Sequence, residues 1–348
     1  MKAVPNPFRR KGLSCDALQD VPYPSVASDR PIGLLRSCPK RGETPLVSAD
    51  SLARRCGVGA VFLKDERGRM GLGSFKALGA AYVIAQDAAR GRARGTTYVT
   101  ASAGNHGLSV AAGAQAFGAR AVVVISEQVP QSFAARLQAE GAEVVREGAT
   151  YEDSMQAAAR VAETAGAVLL SDSSWPGYTA RPLTLMEGYL VLMDEVFAQM
   201  DAPPSHILLQ AGVGGLAGAA AAAARAHWGD GPMIVVVEPE AAPALTASIE
   251  AGRPVVAPGP VSVMGRLDCK EPSLIALKGL SRDADLFATV SEAESLAGAE
   301  LCAEHGFATT PSGAAGVAAL AAAADDPNNL RLDSASRVLA ILSEGPEP

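Results

Sequence analysis

The chain alternates short apolar runs with longer, alanine-rich stretches in which apolar and polar positions follow a helical period. The apolar runs predict buried strands at residues 60–63, 97–100, 121–125, 143–146, 168–171, 206–210, 233–238, 286–290 and 338–342. The amphipathic stretches predict helices, for example at 107–117, 151–164 and 183–200. Strands without a polar face, separated by helices, are typical of parallel sheets covered on both faces. We therefore expect an α/β fold.

Two segments depart from this alternation. Residues 1–45 are rich in Pro, Arg and Ser and predict an irregular arm. The polar stretch 64–69 follows the first strand, and we expect Asp65 and Glu66 to face solvent. At 348 residues, 48% of them hydrophobic, the chain is long enough for about two domains or lobes.

Charge and cysteine content exclude several classes of protein. A net charge of −7 argues against nucleic acid or an anionic membrane as a partner. The five cysteines form no CxxC pair, so we expect no disulfide framework and no metal site. The N-terminal residues lack the apolar run of a signal peptide, and the apolar segment 217–224 is too short to cross a bilayer. We expect a cytoplasmic protein.

One lysine, Lys76, lies in an apolar stretch directly after a glycine-rich turn. Taken alone, it is either a surface lysine at a helix start or a desolvated amine. A desolvated amine has a lowered pKa and can form a Schiff base with a carbonyl compound.

Two loops that follow strands have sequences suited to binding anions. Residues 100–107 contain Ser102, Ala103, Gly104, Asn105 and His106 at a strand-to-helix turn, where backbone amides and the helix N-terminus favour a carboxylate. Residues 212–215 carry three glycines between a strand and a helix, which lets the main chain wrap a phosphate.

Two further loops add a hydroxyl and a carboxylate. Ser343 ends the last strand, where its hydroxyl can bind a ring nitrogen without adding charge. Asp172 follows a strand among aromatic residues; beside an apolar wall its pKa would be raised and it could act as a base, or it is simply a turn residue. A lysine, a phosphate cradle, a neutral hydroxyl and a carboxylate-binding turn are together what a pyridoxal phosphate site needs.

The motifs Ser74-Phe75-Lys76, the 102–107 turn and the 212–215 loop, in this order, resemble the fold-type II pyridoxal phosphate enzymes, which include threonine and serine dehydratases. Residues 172–179, 208–214, 237–239 and 264–272 are most similar to diaminopropionate ammonia-lyases. The resemblance runs from about residue 44 to 345. It implies two lobes, each with a mostly parallel twisted sheet: a larger cofactor-binding domain, residues 1–80 plus 201–348, and a smaller, mobile substrate-binding domain, residues 81–200. A homodimer is also implied.

The resemblance implies a role for each matching position. Lys76 is the Schiff-base lysine, Asn105 bonds the cofactor's 3-hydroxyl, and Ser343 takes the pyridine nitrogen. The phosphate is bound by Gly212, Val213, Gly214 and Gly215. The substrate carboxylate is held by the turn that comprises Ser102, Ala103, Gly104 and His106. His106 could also carry a proton, but its place in the turn favours structural hydrogen bonding.

This sequence departs from the family pattern at two points. Diaminopropionate ammonia-lyases have an aspartate, assigned to the α-proton of the D-substrate, where this chain has Ala103. The carboxylate assigned to the L-substrate matches Asp172. The chain also ends at Pro348 without the longer tail of such enzymes, so closure of the site or dimer contacts can differ.

The predicted function is therefore α,β-elimination on a β-substituted L-amino acid, most directly 2,3-diaminopropionate to pyruvate and ammonia, with Lys76 or Asp172 as the base. Two alternatives keep the cofactor: an L-serine or L-threonine dehydratase, and a β-replacement enzyme similar to cysteine synthase. A third is a ligand-sensing relative without activity. The small-molecule amino acid is the expected partner in every case.

Overall fold

The computed structural model describes residues 1–149 and 151–347, so Pro348, where the short tail was predicted to end, lies outside the described residues. The strands, in chain order, are β1 Lys2–Pro5, β2 Leu46–Ser48, β3 Ala60–Asp65, β4 Thr97–Ala101, β5 Arg120–Ile125, β6 Ala142–Arg146, β7 Val168–Leu169, β8 His206–Gln210, β9 Met233–Pro239, β10 Leu286–Val290 and β11 Arg337–Leu342. The helices are α1 Asp29–Leu35, α2 Asp50–Cys56, α3 Lys76–Ala89, α4 Asn105–Ala116, α5 Gln131–Ala139, α6 Tyr151–Thr164, α7 Ala180–Gln199, α8 Gly215–Trp228, α9 Ala244–Ala251, α10 Leu274–Asp283, α11 Glu292–Glu304 and α12 Ala315–Asp325. Short 3-10 helices occupy Asp16–Leu18, Glu66–Gly71 and Pro327–Asn329.

The strands form two sheets, and the predicted α/β class is confirmed. The larger sheet has the order β1-β10-β9-β8-β11-β3-β2, and the smaller has the order β6-β5-β4-β7. Pairing is parallel throughout the smaller sheet and between the five inner strands of the larger one; only the edge strands β1 and β2 run antiparallel. The smaller sheet lies within the segment predicted to form the substrate domain. The domain boundaries themselves stay a prediction.

Small residues let the helices between the lobes pack closely. A Cβ at Gly79 on α3 would lie 2.7 Å from Cε1 of Tyr189, and one at Gly188 on α7 would lie 2.5 Å from the carbonyl oxygen of Leu78. Both substitutions would force the helices apart, so glycine is required at both positions. Helix α8 is likewise buried from Gly215 to Ala224. These contacts bring the N-terminus of α3, which carries Lys76, against α7.

Two expectations for the N-terminal part are wrong. The arm 1–45 contains β1, which pairs with β10, and the helix α1. Glu66 is fully buried rather than solvated, because it bonds Arg69 through both carboxylate oxygens at 2.7 Å. Asp65 is largely buried as well, in an ion pair with Arg67.

The Glu66–Arg69 pair belongs to a larger buried ionic cluster, which also contains Lys64 and Glu195. Glu195 on α7 accepts hydrogen bonds from Lys64 Nζ at 2.5 Å and from Arg69 Nη2 at 2.6 Å. Buried charges are tolerated only when they are paired and hydrogen-bonded, as they are here. The cluster connects α7 to the segment that leads to Lys76. In the part of the chain that the structure describes, no helix combines the length and apolarity needed to span a membrane.

Candidate active site

A cavity of about 270 Å³ opens at the carboxyl ends of strands β4, β8 and β11. This is the edge at which open parallel sheets bind ligands. All twelve residues that the sequence assigned to the site line it: Lys76, Ser102, Ala103, Gly104, Asn105, His106, Asp172, Gly212, Val213, Gly214, Gly215 and Ser343. The structure therefore brings together positions that lie up to 267 residues apart in the chain.

Lys76 is the first residue of α3, and the turn before it is tied to the end of β11. The Phe75 amide donates to the Ser343 carbonyl at 3.1 Å, and the Gly345 amide donates to the Gly73 carbonyl at 2.9 Å. Gly73 has a φ of 81°, a conformation that glycine adopts without strain. The two hydrogen bonds place the Lys76 amine and the Ser343 hydroxyl on the same wall of the cavity.

The Lys76 ammonium forms an ion pair with the Asp172 carboxylate inside the cavity. Burial alone would lower the pKa of Lys76, but the charge and hydrogen bond of Asp172, together with the other polar groups nearby, outweigh burial and the net pKa is raised. Burial would also raise the pKa of Asp172, but the charge of Lys76 and its hydrogen bond hold the pKa well below its usual range. The sequence alone predicts a lowered pKa for Lys76 and a raised pKa for Asp172. Both directions are wrong while the amine is free, because each group is the counter-ion of the other.

The turn at residues 102–106 closes over the N-terminus of α4. The Ser102 hydroxyl accepts a hydrogen bond from the Gly104 amide at 3.1 Å, and Gly104 is the extended residue before the helix. A Cβ at Gly107 would lie 2.9 Å from the Ser102 carbonyl oxygen, so this return of the chain requires glycine there. The amides of the first helical turn have no partner within the helix and can bind an anion.

His106 is a neutral imidazole inside this turn. Its Nε2 lies 2.9 Å from the Leu170 carbonyl oxygen and donates to it, which leaves Nδ1 as an acceptor. Nδ1 is buried and has no hydrogen-bond partner within the described chain. Burial lowers the pKa of His106. His106 thus combines the structural hydrogen bond expected of it with a free acceptor on the cavity side of the turn.

The 212–215 loop connects β8 to α8 and is packed tightly around Gly212 and Gly214. Gly214 has a φ of 95°, and a Cβ there would lie 2.9 Å from Cβ of Ala276. A Cβ at Gly212 would lie 3.0 Å from Sγ of Cys269. The main chain therefore faces the cavity directly at the start of a 14-residue helix, which is the geometry that binds phosphate.

This donor set fits pyridoxal phosphate. A glycine-walled helix N-terminus suits the phosphate, and the Lys76 amine suits the aldehyde. Ser343 is 5% exposed, and its hydroxyl has no hydrogen-bond partner among the residues described here, so it is available to a ring nitrogen. The cavity offers each chemical part of the cofactor a matching group.

Three residues near these groups were not identified from the sequence: Tyr189, Arg266 and Glu344. The hydroxyl of Tyr189 on α7 is buried, lacks a hydrogen-bond partner within the described chain, and is close enough to Lys76 and Asp172 for both charges to act on it. Burial raises the pKa of Tyr189, so the phenol stays neutral. A tyrosine within a long helix gives no sequence signal, because only the glycine contacts between α3 and α7 place it here.

Arg266 and Glu344 also line the cavity. Arg266 donates through Nη1 to the Ala103 carbonyl at 2.8 Å and through Nη2 to Glu347 Oε1 at 2.9 Å. Its Nε lies 3.8 Å from Glu344 Oε2. Glu344 accepts hydrogen bonds from the side chains of Asn105 and Thr310, and burial raises its pKa. The sequence motif 264–272 contained Arg266, but only the fold shows that this side chain reaches the substrate turn.

Comparisons with known proteins agree with the cofactor that this cavity fits. A family model described as pyridoxal-phosphate dependent enzyme matches residues 38–344. The diaminopropionate ammonia-lyase of Salmonella typhimurium is 31% identical over 350 residues, which is 89% of this chain and 87% of that protein. A serine dehydratase-like protein of Mus musculus is 32% identical over 228 residues, 65% of each chain.

A solved structure of diaminopropionate ammonia lyase from Escherichia coli, in complex with an aminoacrylate-PLP azomethine reaction intermediate, is also similar. Its TM-score is 0.88 at 28% identity, and the match covers 99% of this chain and 93% of that chain. The same enzyme in complex with D-serine has a TM-score of 0.89 at 27% identity, with the same coverage.

Proposed function

Because the chain belongs to the family of pyridoxal-phosphate dependent enzymes, we propose that it eliminates ammonia from a β-substituted L-amino acid. The first candidate substrate is 2,3-diaminopropionate, which would yield pyruvate and ammonia. The observation that carries the proposal is the Lys76–Asp172 ion pair, which places an amine and a carboxylate together in the cavity. The likeness to diaminopropionate ammonia-lyases over most of the chain supports the reaction type.

Different residues of the cavity would bind different parts of the cofactor. Lys76 would hold its aldehyde carbon, the amides of the 212–215 loop its phosphate, Asn105 its 3-hydroxyl, and Ser343 its pyridine nitrogen. When bound, pyridoxal phosphate supplies an electron sink that stabilises negative charge at the substrate α-carbon. A neutral hydroxyl at the ring nitrogen leaves that nitrogen largely unprotonated, which favours elimination over transamination or racemisation.

Asp172 and Lys76 would move the protons. While the Lys76 amine is uncharged, Asp172 lacks its counter-ion, and burial then raises the pKa of the carboxylate towards that of a useful base. The α-proton of the substrate passes to Asp172 or to the released Lys76 amine. The β C–N bond breaks, and the β-ammonium group leaves with the bonding electrons as neutral ammonia. Water converts the released aminoacrylate to pyruvate and a second ammonia.

The substrate carboxylate would bind the 102–106 turn, where the Ser102 hydroxyl and the amides at the start of α4 supply donors. Ala103 has a methyl group at the position where diaminopropionate ammonia-lyases have the carboxylate assigned to the D-substrate. Asp172 is retained, so the site favours the L-isomer.

The charges of the cavity favour a cationic β-substituent. Three carboxylates, of Asp172, Asp268 and Glu344, line it together with two cations, Lys76 and Arg266. An acidic cavity attracts the β-ammonium of diaminopropionate more than the neutral hydroxyl of serine. The alanine at position 103 removes one acidic group, which supports dehydration of L-serine or L-threonine as the second candidate function.

The test is the absorbance spectrum of the purified protein with its cofactor, recorded while L- and D-2,3-diaminopropionate, L-serine and L-threonine are added in turn and 2-oxo acid is measured. We expect a visible band that changes with substrate, and pyruvate from the L-diamino acid. A band that changes without release of 2-oxo acid would indicate β-replacement instead. Lys76→Ala is the control, because it should abolish the band.

For the assembly and its location we propose a cytoplasmic homodimer. Val261 is 86% exposed and Val263 is 46% exposed. The Val263 amide bonds Glu292 at 2.6 Å, and Leu296, 46% exposed, lies one turn further along α11. Exposed apolar side chains in one region are typical of protein interfaces. Light scattering should give a dimer mass that falls to the monomer mass in Val261→Glu, while Val26→Glu, at a 52% exposed site elsewhere, should leave it unchanged.

A further inference from the structure

We propose that Glu344 is a positioning residue: its carboxylate fixes the side-chain amide of Asn105 in the orientation that the cofactor ring requires. The inference rests on the proposed function, because the cofactor is the group that Asn105 would contact. It also assigns a role to a buried carboxylate that takes no part in the proposed proton transfer.

The main chain holds Glu344 rigidly in the wall of the cavity. It follows β11 directly and forms an antiparallel bridge with Ser74, two residues before Lys76. Its carbonyl accepts a hydrogen bond from Thr309 Oγ1 at 2.5 Å, and the next amide, of Gly345, bonds Gly73 at 2.9 Å. The segment cannot shift without moving the turn that carries Lys76.

The carboxylate is buried and each oxygen has its own donor. Oε2 accepts from Asn105 Nδ2, and Oε1 accepts from Thr310 Oγ1. An ionised carboxylate only accepts hydrogen bonds, so Asn105 must turn its NH₂ group, and not its carbonyl oxygen, towards Glu344. The second hydrogen of that NH₂ group remains a donor for an oxygen of the ligand.

The Glu344–Asn105 bond joins the two lobes across the cavity. Asn105 begins α4, beside the four-stranded sheet, and Glu344 extends from β11 in the seven-stranded sheet. Ser343, the neighbour of Glu344, carries the hydroxyl proposed for the ring nitrogen. The segment Ser343–Glu344 therefore determines the positions of the Ser343 and Asn105 side chains, both of which would contact the cofactor ring.

Burying a carboxylate in the wall of a ligand cavity costs free energy. An apolar side chain would fill the same space without that cost, so the carboxylate calls for a further reason. Arg266 Nε, at 3.8 Å, is too far for a hydrogen bond, so the two short contacts satisfy the carboxylate. Of its two donors, only Asn105 is a predicted ligand-binding residue. We therefore assign the carboxylate to the orientation of Asn105.

The experiment compares Glu344→Ala, Glu344→Gln and Glu344→Asp with the wild-type protein. Each is stripped of cofactor and titrated with pyridoxal phosphate for its Kd and visible spectrum. Gln keeps an oxygen that accepts from Asn105, so its Kd should stay within threefold of wild type. Ala removes the acceptor and Asp is one methylene too short, so both should raise Kd at least tenfold and shift the visible band.

Glu347→Gln is the matched control. Glu347 is on the same segment and bonds the same Arg266, but its side chain is 68% exposed and contacts no predicted ring-binding residue. Its Kd and spectrum should equal those of the wild type. If Glu344→Ala does not fold, Glu344→Asp carries the comparison.

Two results would overturn the inference: a wild-type Kd and spectrum in Glu344→Ala and Glu344→Asp, or a loss in Glu344→Gln as large as in Glu344→Ala, which would implicate charge rather than orientation. Failure of the proposed function looks different. In that case the wild-type protein itself would form no visible band or would release no 2-oxo acid.

Discussion

The amine of Lys76 and the carboxylate of Asp172, 96 residues apart in the chain, form an ion pair inside the cavity. Each holds the other in its charged form. The pKa of the Asp172 carboxylate therefore depends on the charge of the Lys76 amine. When the Lys76 amine is uncharged, the carboxylate is left buried without its counter-ion, which is the state in which proton abstraction becomes favourable.

Asp172→Asn should retain the cofactor but lose turnover. The amide cannot accept the α-proton, so we expect kcat on L-diaminopropionate to fall by about 10²–10⁴-fold, the usual contribution of a general base. Asp268→Asn is the control, because Asp268 also lines the cavity but pairs with Lys270 at its edge. An Asp172→Asn variant with near-normal kcat would identify Lys76 as the sole base.

Ala103→Asp should broaden the stereochemistry. The substitution restores, in the substrate turn, the carboxylate that the resembling family assigns to the D-isomer. Only the main-chain carbonyl of Ala103 bonds Arg266, so the turn should be preserved. We expect the ratio of D- to L-diaminopropionate turnover to rise at least tenfold, measured as pyruvate release. Ala103→Asn has the same shape without the base and should leave the ratio unchanged; an equal rise in both would rule out a proton-transfer role.

Gly214→Ala should damage the phosphate cradle. Its Cβ would meet Ala276 Cβ at 2.9 Å from a backbone with a φ of 95°, so we expect a loss of about 1–3 kcal/mol in unfolding free energy and at least tenfold weaker binding of pyridoxal phosphate. The comparison is Gly229→Ala at the other end of α8, where φ is 63° but no atom lies within 4 Å. That variant should lose stability only. Unchanged cofactor affinity in Gly214→Ala would place the phosphate elsewhere.

The ionic cluster around Glu195 should make stability depend on pH. Burial opposes ionisation of Glu195, but Arg69 and Lys64 outweigh it and hold its pKa below its ordinary value of 4.5. A carboxylate with a lowered pKa stabilises the fold above its unfolded pKa, and this stabilisation is lost as pH falls through the folded value. Glu195→Gln leaves two buried cations short of a partner and should cost about 3–5 kcal/mol at pH 7.

Urea unfolding at pH 7 and pH 3 measures both effects. The wild-type protein should lose more stability than Glu195→Gln between the two pH values, because only the wild-type protein has this carboxylate to protonate. Arg160, whose ion pair with Glu147 is exposed, provides the control: Arg160→Gln should cost no more than about 1 kcal/mol. Equal pH dependence in wild type and Glu195→Gln would exclude the cluster as its source.

The pattern of apolar runs located the predicted strands to within two residues of β3 to β11. It failed at β1 and β2, which are edge strands of four and three residues and too short to show a period. Turns after parallel strands of one sheet open at one edge, which predicts that the 212–215 loop and Ser343 lie together. That Asp172, from the smaller sheet, meets them in one cavity is shown only by the tertiary structure.

By itself, the sequence determined the α/β class, the cofactor and the ligand-bearing turns, because these depend on local period, on glycine and on the order of strands along the chain. Only the tertiary structure decided the charge of Lys76 and Asp172, the place of Tyr189 behind the lysine, the contact of Arg266 with the substrate turn and the bond from Glu344 to Asn105. A pKa and a hydrogen bond are set by the nearest charges and donors. In this chain those neighbours lie on other elements, brought close by the packing of α3 on α7 and of one lobe on the other.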